Sequence, residues 1–306
     1  MNTKLVVGAA ISLVAAAAHA QTIGAFNFIR GGDFSFSAGS QVGGPRGDLN
    51  NAFPGISYQD FTTLSSSSLG GVDVVILCSP TSSTTAINPL DPSEQSALLN
   101  FVLSGRGFIG FVDNDTFAGP TTDISNQSLL DVFFVNSLGT DPSTLRLTNI
   151  VFPGVTPVAT GPYGSVTDYV CSTPGWFQAP AFAITAARLS ANFEPALLVI
   201  PENVLGPGAG RVVLFSDTSI LTPDFYSDAI RRLLLNAVDY VRPIPPCNPD
   251  LNQDGNVDQS DVEYLVNVIA GGADPIGIDP DFTRDGNSDQ SDIAALINVV
   301  AGGNCP

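Results

Sequence analysis

Past residue 20 this 306-residue chain has no lysine and no histidine; its one lysine is Lys4 and its one histidine is His19. Both lie in a start, MNTK then LVVGAAISLVAAAA then AHA, that reads as a secretory signal peptide over 1–20, with cleavage expected after Ala20. That apolar run is too short for a comfortable membrane span, and no later segment is long and apolar enough for one. The expected mature chain therefore lacks the base of a Ser-His-Asp or Cys-His pair, histidine metal ligands, a Schiff-base lysine and a phosphate-loop lysine. Positive charge is scarce too: 11 Lys and Arg stand against 29 Asp and Glu, for a formal net charge of −18. With arginine the only cation left, neither a nucleic acid nor an anionic membrane is an expected partner.

Cysteines are few but even in number: Cys78, Cys171, Cys247 and Cys305. An exported chain permits disulfides, and four cysteines allow three connectivities. A Cys247–Cys305 bond would tie together the ends of the C-terminal segment, where a closed loop of that length contributes roughly 4 kcal/mol in the chain-entropy model. Cys78 and Cys171 remain as a second pair.

Acidic residues, by contrast, are concentrated. The net charge divides into about −9 for 21–246 and about −10 for the much shorter 247–306. Two loops carry it, DLNQDGNVDQSD at 250–261 and DFTRDGNSDQSD at 281–292, each placing side-chain oxygens at positions 1, 3, 5, 9 and 12 and glycine at position 6. That is EF-hand spacing: a hard cation of this size takes six to eight oxygens, and the glycine lets alternate residues turn toward one centre. The expected ligands of one calcium ion are Asp250, Asn252, Asp254, the carbonyl of Asn256, Asp258 and Asp261. Those of a second are Asp281, Thr283, Asp285, the carbonyl of Asn287, Asp289 and Asp292. Each loop runs into an apolar-periodic stretch, with Val262, Leu265, Val266 and Ile269 on one face and Ile293, Leu296, Ile297 and Val300 repeating it. Gly271 and Gly302 then stop the helices. Pro243, Pro245 and Pro246 before the first loop, and Pro275 and Pro280 before the second, argue against an ordinary helix-loop-helix hand.

A duplicated calcium loop followed by a helix, with aspartate at position 12 and an LxNxxAGG-like continuation, resembles the dockerin domain over roughly the last sixty residues. The resemblance implies a small all-α calcium-binding domain that docks onto a cohesin-like partner. Partner choice in that family is read near loop positions 10 and 11, here Gln259 and Ser260, then Gln290 and Ser291. Thr283 at position 3 and Ser288 at position 8 depart from the pattern and point to a weaker second site. The alternative is that calcium only folds a small module with no such partner, metal binding then being folding free energy.

The body, 21–241, precedes a Pro-rich linker at 242–246. Strands are predicted at 22–29, 70–79, 107–115 and 211–217, and helices at 93–105, 125–134 and 224–241, an alternation that argues for a mainly parallel sheet with helices on both faces. A β-rich insertion is expected between about 142 and 208. The runs VDVVIL, LLNFVLSGRGFIGF and GAGRVVLFSD resemble the flavodoxin-like, class I glutamine amidotransferase-like fold. In that family a cysteine sits in a G-x-C-x-G element; the matching residues are Gly110, Phe111, Val112, Asp113 and Asn114, so Val112 stands in the nucleophile's place and the catalytic apparatus is not expected.

Two functions compete. One is a secreted binding or structural protein held by its calcium-dependent tail; the other is a glycoside hydrolase delivered by the same tail, using paired carboxylates. Asp113, Asp115 and Asp217 are the candidate acids, at strand ends where open α/β sheets bind ligands; helix capping and loop satisfaction are the competing reading. Glu94 and Glu263 are expected on exposed helix positions, which leaves Glu194 and Glu202. Trp176 and Phe177 are either a glycan-stacking platform or tucked-in aromatics. The lack of a histidine, a lysine and a nucleophile favours the non-catalytic function.

Overall fold

The computed structural model describes residues 21–78, 81–83, 86–114, 122–140, 147–243, 248–276, 278, 280–283, 287–303 and 305. They form two compact units, one ending at Pro243 and one beginning at Ile244. The expected signal peptide, Asp115, Cys247 and Asp285 lie outside the described residues.

Along the first unit run β1 (Thr22–Phe26), α1 (Phe28–Gly31), α2 (Gly43–Ala52), β2 (Ser57–Phe61), β3 (Val74–Cys78), β4 (Thr81–Ser83), β5 (Ala86–Ile87), α3 (Pro92–Leu103) and β6 (Gly107–Phe111). Then come α4 (Thr122–Leu130), β7 (Asn136–Thr140), β8 (Thr148–Val151), β9 (Asp168–Cys171), β10 (Gly175–Gln178), β11 (Ile184–Leu189), β12 (Pro195–Ile200), β13 (Val212–Phe215) and α5 (Asp228–Val241). Nine strands make one sheet in the order β2-β1-β3-β6-β13-β12-β11-β8-β9. From β2 to β13 the neighbours are parallel; from β13 to β9 they are antiparallel.

The sheet is thus mixed rather than mainly parallel. Most of the predicted β-rich insertion continues the same sheet, because short connections such as 190–194 between β11 and β12 permit hairpin pairing, whereas parallel pairing needs a crossover. β2 and β9 are its outer rims, with Asp60 and Asp168 exposed on them.

Helices cover both faces. All five residues of β3 are buried, as a strand covered on both sides requires, and they alternate between two cores. Val74, Ile76 and Cys78 join Leu49 of α2 and Leu233, Leu234 and Val238 of α5. Val75 and Leu77 join Leu98 and Val102 of α3 and Leu129 of α4. Local sequence sets the helix starts: Asp91 caps α3 with Pro92 in its first turn and Glu94 closing a capping box, and Ser227 caps α5.

The second unit has two helices, α6 (Gln259–Ile269) and α7 (Gln290–Val300), around a small core of Leu251, Leu265, Phe282 and Leu296. Gly271 and Gly302 take φ of 82° and 90°, the left-handed conformation that ends each helix without a Cβ clash.

Candidate functional site

Two sets of carboxylates stand out, one in each unit. In the first, Asp113 and Asp217 follow β6 and β13, each two residues past the paired Phe111 and Phe215, so they occupy equivalent positions on adjacent parallel strands. Phe111 and Phe215 stack beneath them at 4.5 Å between ring centroids. Both acids are buried, at 4% and 2% exposure.

Their oxygens are occupied by protein donors. Asp113 accepts from the amide of Asn114 at 2.8 Å, from that side chain at 3.0 Å and from the Thr218 hydroxyl. Asp217 accepts from the amides of Ser219 at 2.7 Å and Ser172 at 3.1 Å, and from the Ser219 hydroxyl at 2.7 Å. Burial, and then the charge of Asp217, pushes the Asp113 carboxyl up to about 8. Burial pushes Asp217 up to about 6 against the pull of its donors on Ser219, Ser172 and Cys171. The two titrate as a pair.

Around the pair, the Cys78 thiol is held well above its ordinary range by burial and then by Asp113. Cys171 donates to the carbonyl of Thr148 at 3.3 Å. Cys78 and Cys171 are not joined in a disulfide, which answers the pairing left open by the sequence: they end β3 and β9, strands at separate places in the sheet. Val112, in the nucleophile's place, is buried core.

The other candidate residues are dispersed. Phe177 is fully buried and Trp176 packs against the core, both on β10. Glu202 pairs with Arg211 at 2.8 Å. Glu194 is partly exposed on the β11–β12 hairpin and Glu263 is exposed on α6. Glu94 is buried, not exposed as expected: its carboxylate meets both terminal nitrogens of Arg30, the second at 2.7 Å, together with the amides of Leu64 and Asp91 at 3.0 and 3.2 Å. Helix periodicity does not reveal a partner 64 residues upstream.

In the second unit the first acidic loop is wired by its own amides. Asp250 accepts from the amides of Asp254 and Gly255, each at 3.1 Å, and Asn252 from that of Asp254 at 3.0 Å. Asp254 accepts from the Asn256 amide at 2.9 Å, a bond that leads the set holding its carboxyl below the usual range. Gly255 at position 6 takes φ of 90°. Asp261 at position 12 is fully buried and accepts from the amides of Asn252 and Asp258 at 3.0 and 2.9 Å.

The second loop repeats the position-12 part of this wiring. Asp292 accepts from Thr283 and Asp289 at 2.7 and 2.8 Å. Its burial acts upward, but these amides outweigh it and leave the carboxyl below its usual range. Asp258 and Asp289 cap α6 and α7 in matching capping boxes. In kind and order these oxygens fit a hard cation. Among the described residues, however, no three acids, cysteines or histidines gather tightly enough to hold one.

Gln259, Gln290 and Ser291 are exposed, while Ser260 is partly covered and donates to Asp258 at 2.7 Å. Of the predicted apolar stripe, Leu265 and Leu296 are buried, but Val266 and Ile297 stand 42% and 50% exposed at equivalent positions of the two repeats. Cys305 is disulfide-bonded. No helix among the described residues is long and apolar enough to cross a membrane.

No family model and no curated protein matches the chain. Among solved structures, the chain is similar to the mmIFT52 N-terminal domain at 11% identity, with a TM-score of 0.52 over 72% of this chain and 95% of that one. A glutamine amidotransferase from Thermotoga maritima gives 10% identity and a TM-score of 0.41 over 92% and 97%. Another glutamine amidotransferase gives 15% and 0.39 over 71% and 98%. At TM-scores below 0.5 those two bear on neither chemistry nor site, and the likeness to the first is one of fold: a mixed α/β sheet flanked by helices.

Proposed function

We propose that this is a secreted protein whose C-terminal unit binds two calcium ions and docks onto a cohesin-like partner, carrying a non-catalytic α/β body. One observation supports the tail most directly: two loops thirty-one residues apart share one hydrogen-bond pattern, with the aspartate of position 12 accepting from the amides of positions 3 and 9 in each. Asp250, Asn252, Asp254, Asn256, Asp258 and Asp261 would hold one ion; Asp281, Thr283, Asp285, Asn287, Asp289 and Asp292 would hold the other. Calcium, when bound, supplies the positive charge that eight neighbouring carboxylates lack, so that ion binding adds to folding free energy. Gln259, Ser260, Gln290 and Ser291, together with Val266 and Ile297, offer the partner two like patches. Cys247 is the proposed partner of Cys305.

The body is proposed as a class I glutamine amidotransferase-like scaffold without its nucleophile, Val112 taking that place. A glycoside hydrolase using Asp113 and Asp217 is the less favoured function, since both carboxylates are buried and engaged by the loops they hold. The test is thermal melting of the full chain with calcium and with chelator. Chelation is expected to lower the midpoint of the tail's transition, and Asp250→Ala combined with Asp281→Ala is expected to abolish that response. Identical melting with and without calcium would end the proposal.

A further inference from the structure

Among the described residues, the strand ends that carry Asp113 and Asp217 have no ion-pair partner. Among the described residues, the titratable groups facing the pair are the Cys78 thiol at the end of β3 and Tyr169 and Cys171 on β9; burial holds Cys78 and Tyr169 above their ordinary ranges and so neutral, and Cys171 acts on Asp217 as a hydrogen-bond donor. Two carboxylates at equivalent positions on adjacent strands, buried over a phenylalanine stack, repel strongly when both are ionised.

Each acid also fastens loop backbone. Asp113 holds Asn114 and reaches across to Thr218; Asp217 holds Ser219 and reaches Ser172 beyond β9. We propose that Asp113 and Asp217 keep one proton between them and so form a proton-dependent latch, whose loss of that proton loosens the loops at 113–114, 172 and 217–219.

The sign follows from where the proton is bound. An unfolded aspartate titrates near 4, and both folded carboxyls lie above that value. Stability from the pair is full below about pH 4 and falls as pH rises through about 6 and then about 8, because the folded state holds protons that the unfolded chain releases. Where the folded chain holds one excess proton, each pH unit lowers the folding equilibrium constant about tenfold.

The test is chemical denaturation of the full chain in calcium from about pH 5 to about pH 9, for the wild type and Asp113→Asn. The wild type is expected to lose stability across this range, and the variant to lose at least about tenfold less in folding constant between about pH 6 and about pH 8. Equal pH dependence of the two proteins would overturn the proposal. Should Asp113→Asn fail to fold, difference infrared spectroscopy of the wild type decides. A protonated-carboxyl band that disappears on raising the pH from about 6 to about 9, together with faster exchange of the Ser172 and Ser219 amides after correction for the intrinsic rate, supports the latch. A folded chain with no such band refutes it.

Discussion

Glu94→Gln is the substitution whose cost the geometry sets most sharply. Glu94 and Arg30 are 3% and 4% exposed, and the carboxylate accepts from the Arg30 guanidinium, the Leu64 amide and the Asp91 amide. Burial alone would push this carboxyl up, and its donors, led by Arg30, bring it below the ordinary range instead. Glutamine keeps the volume and one carbonyl oxygen but removes the charge. The guanidinium then remains buried, with the carbonyl of Thr62 at 2.8 Å and those of Asn88 and Pro89 at 3.5 and 3.4 Å, uncharged acceptors that cannot neutralise it.

Removing one member of a buried pair costs about 3–5 kcal/mol, a large part of the roughly 5–15 kcal/mol that holds a typical domain together. With a urea slope of about 2–3 kcal/mol per molar, the midpoint should fall by roughly 1–2.5 M. Arg30→Met combined with Glu94→Leu removes both charges and should recover most of that loss, since apolar replacement of a whole buried pair is often neutral. A Glu94→Gln protein that unfolds within about 1 kcal/mol of the wild type, or a double variant no better than the single one, would refute this cost for the buried pair.

Gly107→Ala should destabilise the body by about 3 kcal/mol or more in the same titration, because an added Cβ would lie 1.9 Å from the carbonyl oxygen of Val241 at the end of α5. Leu296→Ala should cost the tail about 2–5 kcal/mol, read as loss of helical circular dichroism on warming; its fully buried side chain belongs to a core of four buried residues among those described. Ser227→Ala should cost about 1 kcal/mol by removing the acceptor for the Ile230 amide at the start of α5, and an unchanged denaturation midpoint would count against that cap.

Strands whose signal is local were legible in the sequence. β3, β6 and β13 coincide with the apolar runs predicted for them, and α3 begins within a residue of the helix predicted over 93–105. What escaped depends on distant partners. GGPRGDLNNA has no helical stripe, yet it forms α2 because Leu49 is buried in the core that α5 shares. β12, PALLVI, reads as apolar whichever way it runs, so only its pairing with β13 reveals that the sheet turns antiparallel there. At the carboxylate pair, sequence position placed Asp113 and Asp217 at strand ends, but the adjacency of those ends and the donors on Ser172 and Thr218 come from the fold. In the tail, repeat spacing foretold two helices with a buried leucine each; that Val266 and Ile297 face outward depends on how small the core is.

The short rims of the sheet bear on self-association. Strands of five and four residues, each with a carboxylate outward, give an approaching copy little ladder to extend and a like charge to meet. That protection is electrostatic and weakens once the Debye length shrinks, to about 3 Å at molar salt. Concentrated salt is therefore the condition under which copies of this chain would first begin to stick along these strands.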